Sequence, residues 1–159
     1  MAPRRPRPAA PRVRPARLGD LEAMAALLGH LFSQESEFRP EPALQRRGLR
    51  QILRRPGQGR LLVVEAGGEV LGMVSLLAGI STALGSKVAW LEDLVVAPGH
   101  RGQGLGRLLL LAALAEARRR GWRRVSLLTD ADNARAQALY RSEGFKPSPM
   151  RTMRRLIER

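Results

Sequence analysis

The sequence predicts one mixed α/β domain. Some segments carry apolar residues at helical spacing and others carry short continuous apolar runs, the two kinds alternate along the chain, and glycine or proline marks most of the changes between them. A chain of 159 residues is long enough for one domain with a buried core, expected over residues 12–159. Hydrophobic residues make up 44% and are spread along the chain, and no stretch approaches the roughly 18 uncharged apolar residues of a membrane span. The first segment also lacks the apolar centre of a signal peptide. The expected address is therefore the cytoplasm, with no membrane partner.

Residues 1–11 place Arg4, Arg5 and Arg7 among prolines and alanines, a composition expected to form a disordered Arg/Pro-rich tail. Residues 12–16 read as a short strand. Asp20 is then expected to cap a helix in which Leu21, Met24, Leu27, Leu28 and Leu31 share a face. An acidic loop, residues 33–41, leads to a second helix over residues 42–53, stopped by Pro56. Residues 61–65 and 70–77 are apolar runs joined through Gly67 and Gly68, a hairpin signal. A third strand over residues 88–96 ends at Pro98 and Gly99. The leucine- and alanine-rich residues 105–120 form a helix whose last three residues are arginines, suited to the negative end of its dipole, and Gly121 stops it. Residues 124–129 read as a strand. Asp132 or Asn133 is placed to cap a helix reaching Ser142, Gly144 to end it, and Phe145 with residues 150–156 to supply closing strands.

Composition excludes several chemistries. The chain has no cysteine, which removes disulfides, thiolate metal sites and thiol nucleophiles, and its two histidines, His30 and His100, are too few for a histidine-rich metal site. No metal is expected. The formal charge of +14 favours anionic partners, nucleic acid among them. Because nearly all the cations are arginine, with Lys87 and Lys146 the only lysines, codon bias explains the excess as well as selection for binding does.

The densest motif runs from Val96 to Arg107, where a strand turns through Gly99, Gly102, Gly104 and Gly106 into a helix. The first turn of any helix has amide donors without partners. This one offers no Ser, Thr, Asp or Asn cap and no acid to match the dipole, while Arg101 and Arg107 stand at its positive end. A bound diphosphate would satisfy both the amides and the guanidiniums; a glycine turn facing water is the plain alternative. A phosphate loop of the Walker A type would need Lys and Ser or Thr after its last glycine, and Leu105 and Gly106 follow Gly104. The dinucleotide fingerprint would need a glycine where Arg107 stands.

The pattern Arg101-x-x-Gly104-x-Gly106, preceded by Leu94-Val95-Val96-x-Pro98, resembles the acetyl-CoA motif of the GNAT (GCN5-related) N-acetyltransferase superfamily. Two further stretches are similar to the same family in the same order: Val13-Arg14-Pro15-Ala16-Arg17-x-x-Asp20-Leu21, and Asn133 through Tyr140-x-x-x-Gly144-Phe145. The resemblance implies a mostly antiparallel mixed sheet of six to seven strands flanked by about four helices, with a splayed strand pair holding the donor. It implies acetyl-CoA as acetyl donor, with its diphosphate at Arg101, Gly102, Gln103, Gly104, Leu105, Gly106 and Arg107, and its pantetheine arm along the backbone of Leu94, Val95 and Val96.

Direct attack on a thioester needs a neutral amine, so a base is useful at neutral pH. Glu92 and Asp93 are candidates; neighbours on a regular strand face opposite ways, and Glu92 matches the family's frequent glutamate at this place. The departing thiolate needs a proton. Tyr140, the only tyrosine, lies two helical turns beyond Asn133. The resemblance assigns Tyr140 the acid role and Asn133 a pantetheine contact, while packing is the plain role for both. Glu35, Glu37 and Glu41 fall where the family shapes its acceptor pocket, which suits a small cationic amine such as a polyamine or aminoglycoside. A protein amine is the competing acceptor. An RNA- or ribosome-directed acetyltransferase or binding protein is the alternative function, and the oligomeric state, a homodimer included, is open.

Overall fold

The computed structural model describes residues 9–157. Most of the expected tail at residues 1–11 therefore lies outside the described residues. Two compact units are present, Met1–Leu128 and Thr129–Arg159.

The first unit is built on one sheet in the order β1 (Arg12–Pro15), β2 (Gly59–Ala66), β3 (Glu69–Ser81), β4 (Ser86–Val96) and β5 (Val125–Leu127). The first three junctions are antiparallel and the last is parallel. Gly67 (φ 59) and Gly68 (φ 86) close the β2–β3 hairpin in the left-handed conformation that a tight two-residue turn requires. Both hairpin strands run longer than their apolar runs, because ladder pairing continues through Gly59 opposite Leu77 and Ala66 opposite Glu69.

Helices cover both faces. On one, α1 (Leu21–Phe32) and α2 (Pro42–Arg54) bury Leu21, Met24, Leu28 and Leu49 against Leu61, Val63, Met73 and Val95. Val64 and Gly72 alternate with Val63 and Met73 and so face the other way, toward α3 (Leu105–Arg119). There Gly72 permits an unusually close approach: a Cβ at this position would lie 2.8 Å from the Val95 carbonyl oxygen and 3.1 Å from Leu109 Cδ1. The bare backbone lets α3 settle on the sheet, with Leu109, Leu110 and Ala113 fully buried.

Asp20 stands before α1 but makes no side-chain cap to it. Its carboxylate accepts instead from the Arg17 amide (2.8 Å) and from both terminal nitrogens of Arg14 (2.7 and 2.9 Å), so the expected cap serves the single 3-10 turn Leu18–Asp20. Arg14 also donates to Glu65 on β2 (2.6 Å), clamping β1 between the helix start and the sheet. Hydrogen bonding to Arg14 holds the Asp20 and Glu65 carboxyls below their ordinary range.

In the second unit Asn133 Oδ1 accepts from the Ala136 amide (3.1 Å) and caps α4 (Ala134–Ser142), and Gly144 (φ 87) turns the chain away. The Phe145 ring meets the Tyr140 ring edge-on at 5.8 Å. The closing strands expected at Phe145 and residues 150–156 are not formed, which leaves five strands among the described residues rather than six to seven. Pro147 and Pro149 lack the amide a ladder needs. The apolar residues Met150, Met153 and Leu156 recur every third position, not every second, and all are exposed.

Candidate active site

β4 ends at Val96, passes through the 3-10 turn Pro98–His100, and enters α3 through Gly102 (φ 77) and Gly104 (φ 80). Gly104 is the N-terminal cap residue of α3 and has no side chain to give; no acid stands in the first turn. The amides of this turn therefore have no side-chain cap, as the sequence implies. Arg101 Nε donates to the Val96 carbonyl (3.2 Å), and the Gln34 amide oxygen, in the orientation that satisfies both groups, accepts from the Arg101 terminal nitrogens at 3.2 and 3.1 Å. The first partner ties the guanidinium to the end of β4, and the second ties the α1–α2 loop to it. Left-handed glycines, uncapped amides and guanidiniums together fit a diphosphate group.

The second part of the site is a gap between strands. β4 pairs with β5 at Ala89–Val125, Trp90–Ser126 and Leu91–Leu127, and there the ladder stops. From Glu92 to Val96 the edge of β4 has no ladder partner on that side among the described residues, while its other edge stays paired with β3. The strand expected over residues 124–129 is thus cut to three residues, and the unpaired edge holds Leu94, Val95 and Val96. An extended chain with amide and carbonyl groups, such as a pantetheine arm, matches this edge.

A β-bulge lies at the point of divergence. The register passes from Ser75–Glu92 to Met73–Val95, so that Val74 alone faces Asp93 and Leu94. Asp93 takes φ 50, the one non-glycine residue with positive φ among those described. Ser75 Oγ donates to Asp93 Oδ2 at 3.2 Å, and Ser75 is also the register partner of Glu92. Asp93 thus turns its carboxylate to Ser75 in a stretch of β4 where the simple alternation of faces is interrupted. Burial, with the Glu92 charge beside it, pushes the Asp93 carboxyl up to about 6, against the opposing pull of the Ser75 hydrogen bond. Glu92 itself is exposed.

Asn133 and Tyr140 belong to the second unit, at the first and last turns of α4. Asn133 spends its side-chain oxygen on the helix cap. Burial raises the Tyr140 hydroxyl above its ordinary range, which keeps it protonated at neutral pH. Sequence reasoning overlooked the strain at Asp93 and the part played by Ser75; two adjacent acids inside an apolar run were the available signal.

Residues 22–145 match the model of the Acetyltransferase (GNAT) family. The aminoalkylphosphonate N-acetyltransferase of Salmonella typhimurium is 31% identical over 139 residues, 87% of each chain. The mycothiol acetyltransferase of Beutenbergia cavernae is 52% identical over 52 residues, and that match spans 33% of this chain but only 18% of the relative. Among solved structures, a probable acetyltransferase superposes with a TM-score of 0.79 at 27% identity, covering 93% of this chain and 99% of the other.

Proposed function

The chain belongs to the GNAT acetyltransferase family, and from that premise we propose that it moves an acetyl group from acetyl-CoA to a primary amine by direct attack. The observation that carries the reading is the start of α3: left-handed glycines, no side-chain cap and no acid, with Arg101 and Arg107 beside them. In this reading the amides of residues 102–107 and the two guanidiniums hold the diphosphate. The free edge of β4 at Leu94, Val95 and Val96 receives the pantetheine arm, and an amide there donates to the thioester carbonyl oxygen as it gains charge. Bound acetyl-CoA supplies the activated acyl group. Glu92, directly or through water, takes a proton from the acceptor ammonium, whose nitrogen then bonds to the carbonyl carbon as the C–S bond breaks; the second proton that this nitrogen sheds on becoming an amide restores the Tyr140 hydroxyl after its transfer to sulfur. Asn133 contacts the arm, and the Tyr140 hydroxyl gives its proton to the departing sulfur. With no cysteine in the chain, an acyl-cysteine intermediate does not arise.

A second reading gives the proton to Asp93, and its carboxyl at about 6 favours it, since a base of that strength is mostly ionised yet still basic at neutral pH. An acceptor screen that detects free coenzyme A tests the activity itself. Tyr140→Phe is expected to lower kcat about 100-fold while leaving acetyl-CoA affinity unchanged, and an unaltered kcat removes the acid role. The base must be deprotonated, so the rate falls as pH drops through its pKa. With Asp93 as base that fall is centred near 6 and is lost in Asp93→Asn; with Glu92 as base, Glu92→Gln rather than Asp93→Asn removes the activity.

A further inference from the structure

We propose that Ser75 is a positioning residue for proton transfer: its hydroxyl fixes the Asp93 carboxylate by one oxygen and leaves the other to take the acceptor's proton. This inference rests on the acetyltransferase reading above, in the form that makes Asp93 the base. Ser75 lies on β3 and is 1% exposed. It follows Met73 by two positions and stands opposite Leu61 on β2, so it shares the face that those residues turn to α1 and α2. Within residues 71–77 it is the one polar side chain. A hydroxyl buried in such a stretch needs a partner, and this one donates to Asp93 Oδ2 at 3.2 Å.

The backbone of β4 bends where the two groups meet. Asp93 sits in the bulge with φ 50, in the left-handed region that only glycine enters freely. Its surroundings set it apart from the other buried acids. Asp20, Glu65 and Glu116 are each held by arginine, in a chain with 28 lysines and arginines. Among the described residues Asp93 has no cationic partner: the one charge acting on it is the like charge of Glu92 on the same strand. Residues 72–76 of β3 carry no charge, and the residues of α1 and α2 in the core on that face are apolar. A guanidinium in place of the hydroxyl would hold the carboxyl ionised and leave it too weak a base to accept a proton. A hydroxyl orients the group and costs it little basicity.

Carbon-13 NMR of the aspartate carboxyls in the full-length protein, with the Asp93 signal assigned through Asp93→Asn, reads the titration without turnover. The Ser75 hydrogen bond favours the ionised form, so Ser75→Ala is expected to raise the midpoint. At 3.2 Å the bond is long for a hydroxyl donor, which sets the rise at about half a pH unit. In turnover the base must be ionised, so Ser75→Ala lowers kcat/KM about threefold near pH 5 and leaves it close to the parent above about pH 8. Ser75→Thr, which keeps the hydroxyl, follows the parent; if its added methyl group crowds the core, the smaller Ser75→Ala still carries the test. In an Asp93→Asn background Ser75→Ala changes kcat/KM no further. A loss equal at every pH, or an Asp93 titration unmoved by Ser75→Ala, overturns the proposal. A titration that moves while the kcat/KM profile stays in place overturns it as well, and leaves the acetyltransferase reading standing with Glu92 as base. Release of no free coenzyme A with any acceptor sinks the enzymatic reading and this one with it, an outcome told apart from the others because the carboxyl titration needs no acceptor.

Discussion

The two ends of α3 put arginine to opposite uses. At the C-terminal end Arg60, Arg119 and Arg120 converge on Glu116, which is 3% exposed; Arg60 and Arg120 donate at 2.9 and 2.6 Å, and Arg119 donates as well. Arg120 further donates to the Pro56 carbonyl (3.0 Å) and lies 5.5 Å from the centre of the Trp122 ring. These guanidiniums sit at the negative end of the dipole around a carboxylate of their own. At the N-terminal end Arg101 meets neutral oxygens of Val96 and Gln34, and the first turn of α3 carries no acid. Three arginines surround a carboxylate of the chain's own at one end, and Arg101 meets only neutral oxygens at the other. A net charge of +14 says nothing of that division; the placement of one buried glutamate does.

Three substitutions press on this contrast. The largest expected effect is at the N-terminal end. Gly104→Glu sets an anion beside the amides and a side chain on a residue at φ 80, and acetyl-CoA affinity in calorimetry should fall at least about 100-fold. Binding as tight as before would mean the diphosphate sits elsewhere. Next is Glu116→Gln, which removes the shared carboxylate from three guanidiniums and should cost about 2 kcal/mol in chemical denaturation, with little change in acetyl-CoA affinity. That figure is discounted because Arg119 and, in part, Arg60 and Arg120 reach water. The smallest effects come from a matched pair. Arg101→Gln should weaken acetyl-CoA about tenfold at unchanged stability, whereas Arg119→Gln, at a largely exposed guanidinium, should shift stability by less than about 0.5 kcal/mol and leave affinity alone. Equal affinity losses in the pair would erase the distinction between the two ends.

Much of this arrangement was legible in the residues. The glycines, missing cap and paired arginines of the phosphate loop are local features, and local features survive translation from sequence into structure. The helices α1, α2, α3 and α4 began and ended close to where leucine spacing, Pro56, Gly121 and Gly144 place them. What escaped depended on partners distant in the chain. Residues 124–129 are apolar enough for a full strand, yet pairing stops at Leu127 because β4 leaves the ladder there. The arginines that end the helix read as partners of its dipole alone, and the buried Glu116 that gathers Arg119 and Arg120 with Arg60 from β2 is visible only once β2 lies beside α3. Residues 150–156 are apolar without a two-residue period, so they carry hydrophobicity but no strand signal. Glu92 was chosen over Asp93 on the family resemblance, and the strand alternation invoked beside it is a rule that one extra residue interrupts.

That extra residue separates durability from chemistry. A variant of β4 shortened by one position at Asp93 would regain an unbroken ladder opposite Val74 and shed a strained backbone angle, and so could melt later than the parent. It would also lose the carboxylate that accepts from Ser75 and turn the following segment over, carrying Val95 away from α1 and α2. Thermal endurance and the display of that carboxylate thus pull on the same strand in opposite directions.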